Sequence, residues 1–267
     1  MNVFILSLFT MFLYIAATML RFYPIGSVKT ISPKLLLLLL GGLAVCLHAL
    51  VLYQSVVTPS GLNLGFFNAA SLISLVMVLL LLLSLFRYPV ENLVIVLFPL
   101  AAFTLCLEEY FHSEHILSPN QEFGVTLHIL FSVVAYSLLS ISALQALFIA
   151  IQDYQLHNKH PGWIMQILPP LQVMETLLFQ IIALGFIFLS LSLVSGTVFL
   201  EDIFAQHLVH KTILSIIAWC VFAGLLWGHW YYGWRGKTAI RWSISGFLVL
   251  MLAYFGTKLV LELVLHQ

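Results

Sequence analysis

Residues 35–57 read LLLLLLGGLAVCLHALVLYQSVV, a run with no formal charge and one imidazole, His48. As a helix this run is about 35 Å long at 1.5 Å per residue, enough to cross a hydrocarbon core of about 30 Å. A polar ring at membrane depth carries a desolvation cost, so His48 is expected to pack against a partner inside the protein or to serve a site. Similar runs recur along the chain, giving spans at roughly 3–20, 35–57, 66–86, 92–108, 124–152, 173–199, 209–231 and 241–264. Apolar residues are 62% of the chain and charged residues 7%, which excludes an ordinary soluble domain. The expected fold is an all-α integral membrane bundle of about eight transmembrane helices, forming one polytopic domain over residues 1–267.

Span four is the shortest and contains Pro99, which a transmembrane helix tolerates as a kink. Span five is the longest and must tilt or project beyond the bilayer. The first span lacks a basic leader, since Arg21 follows its apolar run, and so does not read as a signal peptide. Arg21, Lys29, Lys34, Arg87, Lys159, Arg235, Lys237 and Arg241 all fall in odd-numbered loops, whereas only Lys211 and Lys258 fall on the other side. The positive-inside rule then makes the odd loops cytoplasmic and puts both termini outside. In loop five, Trp163, Ile164, Ile167 and Leu168 are suited to the membrane interface before Pro169 and Pro170 break the helix. Net charge is zero, so no basic footprint for nucleic acid exists. Cys46, Cys106 and Cys220 are scattered and form no CxxC pair, which leaves neither a thiol redox motif nor a covalent haem attachment. No nucleophile motif organises the serines and histidines, so a binding protein is expected rather than an enzyme.

Small residues mark where membrane helices approach closely. Gly41, Ala44, His48 and Ser55 share one face of span two; Gly124, His128, Ser132 and Ala135 share one face of span five. Both histidines are therefore expected to face the bundle interior. That position suits an axial ligand of haem iron. It equally suits a neutral ring hydrogen-bonded across a helix interface.

The segment 124–257 resembles the haem-handling cytochrome c assembly family of the CcsA and CcmC type. The resemblance rests on Leu168-Pro169-Pro170-Leu171 with Met174-Glu175, then Ala183-Leu184-Gly185-Phe186 and Ser195-Gly196-Thr197. It continues through Ala218-Trp219-Cys220-Val221-Phe222 to His229, Gly233-Trp234-Arg235-Gly236-Lys237 and Tyr254-Phe255-Gly256. Val125-Thr126-Leu127-His128 with Tyr136 resembles the span bearing the family's first external haem histidine, and His229 matches its transmembrane histidine. The aromatic neighbours Trp227, Trp230, Tyr231 and Tyr232 equally allow His229 to belong to an interfacial belt. His266 lies near the place of the second external histidine, and His207 or His210 could replace a lost ligand. The family's W-G-x-x-W-x-W-D motif is missing, since Glu201 to Leu214 contains no tryptophan. In this respect the chain is similar to the YpjD branch of bacterial inner-membrane proteins.

The resemblance implies an inner-membrane protein that binds haem b non-covalently in cytochrome c assembly or haem handling. Its partners would be the lipid bilayer and apocytochrome c or other assembly proteins. Two further readings stay open. A membrane b-type electron-transfer protein also needs only two buried histidines. A divalent-cation sensor or accessory of metal transport would use Glu108, Glu109, His112, Glu114 and His115 at the outer mouth of span four, where carboxylates and imidazoles gather.

Helix rise orders the histidines by depth. His48 lies about 9 Å below the outer surface, counting from Lys34, and His128 about 6 Å below it, counting from Gly124. His229 follows about 28 Å of helix from His210 and falls near the cytoplasmic face. Axial nitrogens on one iron lie roughly 4 Å apart, so His48 and His128 are the expected pair, with His229 and His210 ranked behind them.

Overall fold

The computed structural model describes residues 3–22, 32–111, 116–117, 123–158, 168–199 and 206–256. Among these residues, eight helices are long and apolar enough to cross a membrane. Their α-helical segments are α1 (Val3–Phe22), α2 (Pro33–Val56), α3 (Phe66–Leu85), α4 (Val94–Tyr110), α5 (Phe123–His157), α6 (Leu171–Phe199), α7 (Gln206–Tyr232) and α8 (Gly236–Met251), the fourth and eighth spans also including the turns that flank them. A 3-10 turn, Glu91–Leu93, leads into α4, and a π turn, Leu252–Gly256, extends α8. The protein is an all-α multi-pass membrane protein, with each helix centred on one of the eight apolar runs.

Local chemistry sets several of the boundaries. Ser32 caps α2 by accepting the Leu35 N–H at 3.2 Å, and Pro33 occupies the first turn, where its missing donor costs nothing. Helix α4 runs through Pro99 without ending. Pro169 and Pro170 immediately precede α6, as the breaker reading of that pair requires. Trp163, Ile164 and Ile167 lie outside the described residues.

The chain divides into two compact units, Met1–Asn120 and Gln121–Gln267. In the first, α1 packs on α2 and α4, and α3 packs on α2 and α4. Its core centres on Tyr14 and Phe98, both fully buried, whose rings meet edge-on with centroids 5.5 Å apart. A hydroxyl pair, Ser74 with Thr104 at 2.7 Å, joins α3 to α4. A small antiparallel sheet of β1 (Val57–Thr58), β2 (Gly61–Asn63) and β3 (Ile116–Leu117) follows α2, with Val57 opposite Leu62 and Leu62 opposite Leu117. These strands are too short for a period-2 signal, and hydropathy gives no hint of them.

In the second unit α5 lies along α6, α8 packs on both α5 and α7, and α6 meets α7. Ser132 and Ser192 pair at 2.7 Å, the Gln145 amide donates to the Met174 carbonyl at 3.3 Å, and the Gln152 amide donates to the Pro169 carbonyl at 3.0 Å. Lipid tails are as apolar as leucine, so close packing and such polar contacts hold the helices together, at about 0.6 kcal/mol each on average.

Candidate functional site

The small-residue face of α2 turns inward. Gly41 and Ala44 are buried, and His48 is fully buried. Both of its ring nitrogens have partners within the first unit. Nδ1 lies 3.2 Å from the Tyr14 hydroxyl on α1, and Nε2 lies 2.8 Å from the Ser71 hydroxyl on α3. One imidazole therefore ties three helices together. A hydroxyl can donate or accept, so this arrangement suits either neutral tautomer and leaves neither nitrogen open.

The carboxylates at the end of α4 differ from the sequence expectation. The helix continues to Tyr110, two residues past the expected end of the span, and turns Glu108 into the unit, where it is 7% exposed. Glu108 accepts a hydrogen bond from the Ser55 hydroxyl, and Glu109 accepts one from the Ser7 hydroxyl at 2.8 Å. These acids knit α4 to α2 and α1. His112, Glu114 and His115 lie outside the described residues, among which no three His, Cys, Asp or Glu side chains gather as a metal site.

In the second unit, Gly124 and Ala135 on α5 are buried and His128 between them is half-buried. Its Nδ1 lies 2.8 Å from the Ser192 carbonyl on α6, with Ser132 and Ser195 beside it. A carbonyl oxygen can only accept, so Nδ1 carries the hydrogen and Nε2 keeps its lone pair. The neighbour of that lone pair among the described residues is the Ser132 hydroxyl, at 3.5 Å, the outer limit of a hydrogen bond.

His229 near the end of α7 repeats the pattern. Its Nδ1 donates to the Trp234 carbonyl at 2.8 Å, again leaving the lone pair on Nε2. The ring stacks on Phe179 of α6 with centroids 3.5 Å apart and planes 14° from parallel. Trp227, Trp230, Tyr231 and Tyr232 are exposed and suit an interfacial belt, whereas His229 turns inward from them.

The turn after α7 holds this geometry. Gly233 and Gly236 adopt φ of +69° and +55°, a left-handed conformation that glycine enters without a Cβ clash. Trp234 folds back on Gly228, where a Cβ would collide with its indole. The Gly236 N–H donates to Glu175 Oε1 of α6 at 2.8 Å. A cavity of about 340 Å³ opens here, lined in part by Gln172, Glu175, Phe179, Gln180, His229 and Arg235. That volume falls in the lower part of the roughly 300–1,000 Å³ range of small-molecule sites.

His210 is exposed on α7, and His266 lies outside the described residues. The sequence marks the imidazoles but not their partners. Tyr14 and Ser71 are ordinary span residues with nothing to distinguish them. Glu175 and the Gly-Trp-Arg-Gly turn are visible in the sequence, but their closure around His229 depends on a contact between α6 and the start of α8.

A multi-pass helical bundle with carbonyl-oriented imidazoles in its second unit is the class that fold and site define. Residues 36–265 match the family model described as cytochrome C assembly protein. Inner membrane protein YpjD of Escherichia coli (strain K12) is 34% identical over 224 residues, covering 83% of this chain and 85% of that protein. The chain belongs to the cytochrome c assembly family. An uncharacterized 28.8 kDa protein of Azospirillum brasilense is 32% identical over 143 residues, 53% of each chain. Cytochrome c biogenesis protein CcsA of Gloeothece citriformis is 26% identical over 113 residues, 42% of this chain and 34% of the relative. No solved structure matches. The eight apolar helices and the likeness to YpjD identify a multi-pass protein of the bacterial inner membrane.

Proposed function

We propose that this protein handles haem in cytochrome c biogenesis, holding haem b non-covalently within its second unit. The observation that carries the reading is His229, whose tautomer is set by a backbone carbonyl and which lines a cavity within the family-matched region. Iron-ligating histidines characteristically donate their other ring N–H to a carbonyl or carboxylate, which orients the ring and fixes the lone pair. The residues fit a haem in that respect: His229 would supply a nitrogen ligand and Phe179 an apolar wall. When bound, the haem iron would offer a coordination position to the His229 nitrogen. His128 has the same carbonyl-fixed ring, but it meets α6 at Ser192, about 20 Å of helix from the Phe179 on which His229 stacks, so it would serve a separate site and not the same iron.

This choice departs from the sequence expectation that paired His48 with His128. Using His48 as a ligand would require breaking a hydrogen bond to Tyr14 or Ser71 in a fully buried setting, at a cost of about 1–3 kcal/mol for each polar group left unpaired. We therefore assign His48 a structural role. Apocytochrome c or other assembly proteins are the proposed partners, approached without the tryptophan motif that the resemblance would supply.

Deleting the gene tests the biogenesis role. Covalent haem in c-type cytochromes, read as haem-stained bands, should fall; unchanged bands would remove cytochrome assembly as the purpose of the site. The proposed orientation has both termini outside and Lys237 in the cytoplasm. A cysteine placed at Lys237 should resist impermeant thiol reagents in intact spheroplasts, and strong labelling would overturn that orientation.

A further inference from the structure

Arg235 stands beside His229 in the same cavity, and iron ligation alone gives it no role. It is exposed and forms no ion pair among the described residues. Glu175 also lines the cavity, but its Oε1 is engaged by the Gly236 N–H and it comes no closer to Arg235 than the limit of an ion pair. The backbone on either side of Arg235 is fixed. Before it, the Trp234 carbonyl is held by His229; after it, the Gly236 N–H is held by Glu175. Arg235 itself is extended, with φ −147° and ψ −179°, between two left-handed glycines. The contact that sets the imidazole tautomer and the contact that fixes the backbone after Arg235 thus belong to one turn.

We infer that Arg235 is the carboxylate anchor of this cavity, so that the site recognises a ligand carrying both a metal for His229 and a carboxylate for the guanidinium. The inference rests on the haem reading and deepens it, because haem bears two propionate carboxylates. Arginine suits this role because its planar fork matches a carboxylate bidentately and stays charged at any working pH. Gln172 and Gln180 add neutral amide donors on the α6 wall. Glu175 is a positioning residue that acts through the turn.

The test separates metal from carboxylate. Purified full-length protein in detergent is titrated with haem, with haem dimethyl ester, whose carboxylates are blocked, and with metal-free protoporphyrin IX. The wild type should bind haem more tightly than the ester by on the order of 10- to 100-fold, the range of one charge-assisted contact. Arg235→Gln should erase that preference while leaving ester binding unchanged. His229→Ala should instead erase the preference for haem over metal-free porphyrin and keep the preference for free carboxylates. Haem bound equally with its ester by the wild type, or an undiminished preference in Arg235→Gln, overturns the anchor and leaves the haem reading standing. A wild type that binds none of the three overturns both.

Discussion

In the first unit His48 meets two hydroxyls, Tyr14 at 3.2 Å and Ser71 at 2.8 Å; in the second, His128 and His229 each meet a backbone carbonyl at 2.8 Å. The difference is chemical. Hydroxyls complement either nitrogen state and consume both ends of the ring. A carbonyl takes only the N–H, which fixes the tautomer and leaves a lone pair on the far nitrogen. Three imidazoles in apolar helices thus divide into one with both ring nitrogens engaged by hydroxyls and two with one nitrogen fixed by a carbonyl. The same contrast runs through the acids. Glu108 fastens α4 to α2 through Ser55, whereas Glu175 fixes the turn beside a cavity.

The contrast breaks most readily on haem content. His229→Ala should strip most bound haem from the purified protein, while His48→Ala should keep near wild-type haem per folded molecule, as read by pyridine haemochrome assay. Equal losses would erase the distinction between the units. Stability should move the other way. His48→Ala removes a fully buried ring and orphans the Tyr14 hydroxyl, for an expected loss of about 2–4 kcal/mol in detergent-mediated unfolding. A loss no larger than that of His229→Ala would show that the three-helix fastening matters little. A smaller effect sharpens the role of the turn. Gly236→Ala places a Cβ at φ +55° and should cost about 1–2 kcal/mol. It should also weaken haem retention without removing either His229 or Arg235. Retention equal to wild type would mean that the turn does not orient the ring.

Hydropathy makes the eight spans legible, because each is a long local pattern that needs no partner to be read. The inward placement of His48 and the small-residue face beside His128 follow from helical spacing. Their ring partners do not, since Tyr14 lies 34 residues from His48 and Ser71 lies 23 away, on separate helices. Depth counting puts His48 level with His128 but carries no information about which nitrogens are already engaged. Apolarity fades at Glu108, which makes it read as part of a solvated mouth; the helix nonetheless continues, and one carboxylate oxygen meets Ser55 on α2. The Gly-Trp-Arg-Gly turn is visible as a resemblance, while its mechanical role emerges only with the Glu175 contact.

Visible absorption of the wild-type protein, purified in mild detergent and read before and after dithionite, bears most directly on the central claim. A Soret band that shifts on reduction, with resolved bands at longer wavelength, is the expected result, and it should be greatly diminished in His229→Ala but not in His48→Ala. A featureless visible spectrum that stays featureless after haem is added would contradict the account.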